Sequence, residues 1–253
     1  MKLFFIFKAQ LGFIGHSLGN TGMFQLLSAK PKFSDYVHPF VALAPVARVG
    51  AIKTPLFQLG AHIPKIFNYI TTSRSPLFLV PSPDWGQYDV PLVGKYFCGN
   101  SLLKPLCSLL LFIVNGFDLD NSDERLIPQA AGHVPDEIST WVLGHFAQRV
   151  DRSDFRKFDY GEDVNLKLYG STIPPSYNLS KILNRFIIMV SSTGDWLADP
   201  QDVDYLRSQL TVTPWADHVV RLEEFNHFDF SIGKDVGTEV NSFILRSFKQ
   251  IFS

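Results

Sequence analysis

The chain has 253 residues, 46% hydrophobic and 19% charged, enough apolar material to bury one sizeable core. Its 23 basic and 24 acidic side chains leave a formal net charge of −1. No cationic stripe is available to neutralise phosphates, which excludes nucleic acid as the main partner.

Met1-Lys2 followed by Leu3-Phe4-Phe5-Ile6-Phe7 starts like a signal peptide, but Lys8 ends the apolar run and no small-residue cleavage site follows. The segment is read as the start of a strand, not as a leader. Leu11 to Ile14 then predicts a short buried strand, and Thr21 to Leu27 predicts a helix. Between them stands Gly15-His16-Ser17-Leu18-Gly19, the G-x-S-x-G pattern of a serine on a tight strand-to-helix turn. Glycines two before and two after the serine are expected to let that turn pack without side-chain collision. Val41-Ala42-Leu43-Ala44-Pro45-Val46 closes an apolar stretch from Tyr36 to Ala47 and predicts the next buried strand, stopped by proline.

From Arg48 to Lys167 helical stretches, prolines and aromatics mix without regular strand–helix alternation, as in an inserted cap. The longest apolar run there, Leu106 to Val114 behind Lys104-Pro105, is about half of the roughly 20 residues needed to cross a bilayer, so no transmembrane segment is expected. The 23 Phe read first as core packing and, more sharply, as the lining of an apolar pocket. Cys98 and Cys107 are either buried free thiols or a small closed loop in an oxidising compartment. Asn178-Leu179-Ser180 is an N-glycosylation sequon.

Alternation returns with Arg185 to Ser191, a continuous apolar run suited to a central parallel strand. Gln201 to Gln209 predicts a helix, His218 to Leu222 a short strand, and Val236 to Phe252 a closing amphipathic helix. Strand, elbow, helix, strand, cap, strand, helix, strand, helix is the order of the C-terminal part of an α/β-hydrolase sheet. The expected division is 1–47 and 168–253 for the core and 48–167 for the mostly helical cap.

A serine hydroxyl needs a base to take its proton, and the base needs a carboxylate to orient it. In this fold the partners follow in the order serine, acid, histidine, each in a loop past a strand. Asp195 stands after the first late strand, behind Ser191-Ser192-Thr193-Gly194; His227 stands after the second, behind Glu223-Glu224-Phe225-Asn226. Of the nearby carboxylates, Asp199-Pro200 starts the next helix, Asp202 lies within it, and Asp229 caps the last helix or its own loop. His16 is expected to point into packing. His38, His62, His133, His145 and His218 have no metal-ligand spacing and no H-E-x-x-H is present, so neither a metal nor a cofactor is expected. Glu223-Glu224 and Asp151/Asp154 read as solvated surface rather than a glycosidase pair.

These same residues resemble the acid lipases of the gastric and lysosomal type and their insect lipase 3-like relatives. The resemblance runs through Gly15–Gly19, the strand Pro39 to Ala47, Gly116-Phe117-Asp118, Pro175-Ser176-Tyr177-Asn178, the stretch Gly194 to Val203, and Phe225-Asn226-His227-Phe228-Asp229-Phe230. It implies Ser17 as nucleophile, Asp195 as acid, His227 as base, the Leu18 amide in the oxyanion hole, and a cap disulfide between Cys98 and Cys107. It also implies a monomer that is secreted or lysosomal, acting at a lipid interface on triacylglycerol or steryl esters through an acyl-enzyme. Leu18 and Asn20 replace the family's usual Gln and Thr. The family's second oxyanion donor, in a loop marked by a His-Gly pair, has no counterpart, and the chain is expected to be an N-terminally truncated member. The alternative reading is a catalytically inactive paralogue that at most binds lipid.

Overall fold

The computed structural model describes residues 10–61, 94–118, 120–123, 125–132, 139–150 and 152–253. Four parallel strands, β1 (Leu11–His16), β2 (Val37–Leu43), β3 (Ile187–Ser192) and β4 (Ala216–Val220), form one sheet in the order β1-β2-β3-β4. The two inner strands carry the apolar runs that burial on both faces demands. Phe40, Val41 and Ala42 pair with Ile187, Ile188 and Met189, and all six are fully buried. β4 begins two residues earlier than expected and ends at Val220, because Leu222 is exposed and past the ladder.

β1 departs from expectation. Among the described strands it lies at the end of the sheet, and Leu11 and Ile14 are 55% and 56% exposed. A short apolar run is equally compatible with a central and an edge position, and periodicity cannot separate them. Phe13 still faces inward, its ring 5.7 Å from that of Phe40.

Helix α1 (Leu18–Ala29) links β1 to β2, burying Met23, Phe24 and Leu27 against the sheet, with the Phe24 ring edge-on to Phe40 at 5.1 Å. It stops where Pro31 opens a 3₁₀ turn, Pro31–Asp35, since proline cannot continue the amide ladder. Between β2 and β3 the described residues hold α2 (Pro55–Ala61), α3 (Lys104–Asn115), α4 (Ile127–Ala131), α5 (Thr140–Gln148) and α6 (Glu162–Tyr169). Among the described residues of 48–167 there is no strand, only an isolated bridge such as Val49 to Val150. Cys98 and Cys107 form a disulfide, Cα–Cα 5.3 Å, joining the π-helical turn Gly94–Cys98 to α3. With Ile127 and Ala131 they make a small second core.

Helix α7 (Pro200–Gln209) follows β3, and its start was legible in sequence. Asp199 caps it by accepting the Gln201 amide, with Pro200 at the first helical position. After β4 come a four-residue helix α8 (Asp229–Ile232) and then the closing helix expected from Val236, continuous to Phe252 as a π-helical turn Gly237–Asn241 followed by α9 (Ser242–Phe252). No described helix is long and apolar enough to cross a membrane.

Candidate active site

β1 delivers Ser17 at its C-terminal end. Ser17 has φ 55° and ψ −121°, a strained conformation for a residue with a side chain, held because its amide donates to Leu43 O of β2 at 3.0 Å. Gly15 is needed there: a Cβ would sit 2.5 Å from Asn20 Oδ1 and 2.9 Å from the Phe13 ring. Gly19 is not, and this corrects the expectation for the elbow. An added Cβ at Gly19 meets nothing within 4 Å, because that side of α1 faces outward. Leu18 is the first residue of α1, so its amide has no intrahelical partner and points its partial positive charge past the helix start.

β3 and β4 deliver the other two residues. Asp195 is 1% exposed and accepts three hydrogen bonds: the amides of Leu197 and Ala198 at 2.8 Å on Oδ1, and His227 Nδ1–H at 2.7 Å on Oδ2. A carboxylate accepts, so the hydrogen bond between them is one that His227 Nδ1–H donates. The two loops are packed backbone against backbone. A Cβ on Gly194 would lie 2.3 Å from Glu223 O, and Ser192 Oγ donates to Phe225 O at 2.7 Å. Gly116, at φ 114°, closes on both, with Gly194 O and Asn226 Cβ at 2.6 and 3.3 Å from where its own Cβ would be. Asn115 O, at the end of α3, accepts both the Trp196 and the His227 amides.

Sequence reasoning missed the part played by His16. It does pack, as expected, but it packs on His227: the rings lie 4.7 Å apart, and His16 Nε2–H donates to His227 O at 3.0 Å. Burial first, then the proximity of His227, lowers its pKa to about 4, so it is neutral through the ordinary range. Among the described residues no hydrogen bond joins Ser17 Oγ to His227; the contact between elbow and histidine loop is made by His16. No local sequence signal marks a contact between residues so far apart in the chain.

The rival carboxylates are otherwise engaged. Asp199 caps α7 and pairs with Lys53, and Asp202 accepts from Arg48 and the Ala51 amide. Asp229 caps the histidine loop, not the last helix, by accepting the Asn226 amide. Asp154 is partly exposed and bonded to Arg156 and Ser176, where it ties two loop segments together. Asp151 falls outside the described residues, as do His62 and His133. Of the remaining histidines, His38 and His218 lie against aromatic rings and His145 donates to Arg156 O. Among the described residues no group of three or more His, Cys, Asp or Glu could hold a metal. The side chain of Asn178 is exposed and caps the turn at Leu179–Lys181.

No protein-family model matches the chain. Its sequence matches gastric triacylglycerol lipase of Bos taurus at 32% identity over 234 residues, 92% of this chain and 56% of that protein. Lipase 3 of Drosophila melanogaster matches at 29% over 240 residues, 94% and 59%. Human lysosomal acid lipase/cholesteryl ester hydrolase matches at 29% over 229 residues, 90% and 55%. The chain is a relative of the acid lipases. That bears out the resemblance carried by the motifs. The chain spans somewhat more than half the length of the relatives it matches. Among solved structures, an α/β-hydrolase enzyme from a Medee basin deep-sea metagenome library covers 96% of this acid-lipase relative and 66% of its own chain, at 14% identity and TM-score 0.42. The α/β-hydrolase assignment rests on the parallel sheet with the serine at its strand-to-helix turn.

Proposed function

We propose that this chain is a serine carboxylic-ester hydrolase of lipase type that cleaves triacylglycerol or steryl esters. The observation that supports the reading is the buried Asp195–His227 pair at 2.7 Å, with His16, the neighbour of a strained Ser17, packed on His227. In the reaction, Ser17 Oγ attacks the acyl carbonyl while His227 Nε2 takes its proton. Asp195 fixes the imidazole and balances its charge as it becomes an imidazolium. The Leu18 amide donates to the tetrahedral oxyanion. The alcohol leaves with the proton from His227, and water activated by the same nitrogen releases the fatty acid from Ser17. No cofactor takes part.

Residues 48–167 serve as the cap. α3 and the residues around it expose Leu102, Leu106, Leu109, Leu110 and Phe117, a run of apolar side chains that supports contact with a lipid interface. The compartment is secreted or lysosomal, where the Cys98–Cys107 disulfide persists and Asn178 can carry a glycan. The protein works as a monomer.

The test is labelling by a fluorophosphonate probe beside Ser17→Ala, with hydrolysis of a short-chain p-nitrophenyl ester. Labelling and turnover lost in Ser17→Ala support the reading. A folded chain that neither labels nor turns over supports instead an inactive paralogue that at most binds lipid.

A further inference from the structure

Against one face of α3 lies a cavity of about 590 Å³, inside the range of about 300–1,000 Å³ that small-ligand sites occupy. Its lining residues all fall between 101 and 127, so it belongs to the cap and contains none of Ser17, Asp195 and His227. Two stripes of side chains along α3 face it. Ser101, just before the helix, Lys104 and Ser108 make one, at the three- and four-residue spacing of a helix face. Pro105, Leu109 and Phe112 make the other, a step further round the helix, and Phe117 and Ile127 stand outside it.

The two stripes differ in chemistry. The first presents two hydroxyls and an ammonium; the second, with Phe117 and Ile127, presents hydrocarbon alone. Such a lining suits an amphiphile lying along the helix, not a compact polar molecule. Charge sets its direction. Lys104 is the first residue of α3, and the opening turn holds no acidic side chain. Asp118 lies past the other end of the helix, and both its oxygens are engaged: Oδ1 accepts the Asn121 amide and Oδ2 the Ser122 hydroxyl, each at 2.7 Å. An anionic head is therefore attracted at the Lys104 end and repelled at the Asp118 end. From Lys104 to Phe112 the helix rises about 12 Å, a length to be matched by a hydrocarbon chain. Ser101 and Leu109 are exposed, so the cavity is open to entry from outside.

We propose that this cavity binds a long-chain fatty acid, its carboxylate at Lys104 between the hydroxyls of Ser101 and Ser108, and its chain between the apolar stripe of α3 and Phe117. The site stands on its own lining; that the acid is the chain's own reaction product rests on the hydrolase reading. Phe117 joins the site to the catalytic loops. Its ring is edge-on to that of Trp196 at 5.5 Å, and the Trp196 amide shares Asn115 O with the His227 amide. A released acid held here lies one aromatic contact from the acid loop and leaves Ser17 clear for the next ester.

The test is a titration of the full chain with laurate carrying an isotopic label in its carboxyl, followed by NMR below the micelle concentration and at a pH where the acid is ionised. Ser17→Ala is the background throughout, so turnover does not enter the measurement. One saturable carboxylate signal is expected. Lys104→Glu should weaken laurate by about tenfold and leave its neutral methyl ester unchanged. Leu109→Trp fills the cavity and should abolish binding of both; Ser108→Leu occupies the same space from the neighbouring stripe, should Leu109→Trp not fold. Laurate that binds every variant equally lies elsewhere, in the catalytic groove or on the leucine-bearing surface, and overturns the proposal, as does the absence of saturable binding. An effect of Leu109→Trp with none of Lys104→Glu overturns it too, since the head would then not be an anion held at Lys104. A chain that neither labels nor turns over ester but binds laurate in the expected pattern upholds the site and rejects the hydrolase reading; a chain that labels at Ser17 but binds no laurate does the reverse.

Discussion

Replacing His16 by Phe keeps a ring against His227 and Phe230 while removing a group that titrates. In the wild type, burial and then His227 hold the folded pKa of His16 at about 4, against 6.5 when it is free. The unfolded chain therefore binds the extra proton first, and folding stability falls as pH drops below about 6.5. Integrating between those two values, His16 costs the fold about 2 kcal/mol by pH 5 and about 3 kcal/mol by pH 4, relative to neutral pH. His16→Phe escapes that loss but leaves the His227 carbonyl without its donor, a penalty of about 1–3 kcal/mol at every pH. The variant should be less stable than the wild type at neutral pH, and the gap should narrow or close by pH 5. Urea unfolding followed at several pH values measures it. For a chain of this length a change of 2 kcal/mol is also about 4–8 °C in melting temperature. Parallel stability curves for the two proteins would refute the reasoning, since they would mean that His16 takes up its proton in the fold as readily as in water.

Asp195→Asn keeps a side-chain oxygen for the Leu197 and Ala198 amides but no longer enforces the Nδ1–H tautomer of His227. Ester turnover should fall by about 10³–10⁴ with little change in KM, and a loss under tenfold would argue that Asp195 does not orient the base. The two elbow glycines should separate cleanly in denaturation experiments. Gly15→Ala meets Asn20 Oδ1 and the Phe13 ring and should destabilise by about 1–3 kcal/mol. Gly19→Ala, in open space on a helix, should be neutral or stabilise by about 0.4–1 kcal/mol; equal losses at both sites would contradict the packing described for the elbow. His145, like His16, has its pKa lowered to about 4, first by burial and then by Arg149. His145→Phe should therefore also flatten the acid limb of stability, and an unchanged limb would show that His145 is not held neutral.

The addresses of Ser17, Asp195 and His227 were legible because each depends on local order: a strand, a loop able to turn, and a residue with the right chemistry. The cap at Asp199-Pro200 was legible for the same reason. What sequence could not give is lateral position and long-range contact. The apolar run at Leu11 to Ile14 identified a strand but not that it stands last among the described strands. The steric need for glycine at position 15 but not at 19 depends on which neighbours the turn faces. His16 looked like packing because its partner lies far along the chain, and of the two places open to Asp229, the last helix or its own loop, only the tertiary fold selects the loop.

One carbonyl gives the site a mechanical property. Asn115 O accepts the amides of Trp196 and His227 together, so the last turn of α3 is fastened to the acid loop and the base loop at once, with Asn226 Nδ2 on Gly116 O as a second tie to the base loop. A tilt of that helix shifts both loops in the same direction. The elbow is tied to the same assembly, since His16 beside Ser17 donates to His227 O, and to β2 through Leu43 O. A displacement of the last turn of α3 therefore passes to both loops together, and the 2.7 Å contact between Asp195 and His227 lies between two loops held by one carbonyl.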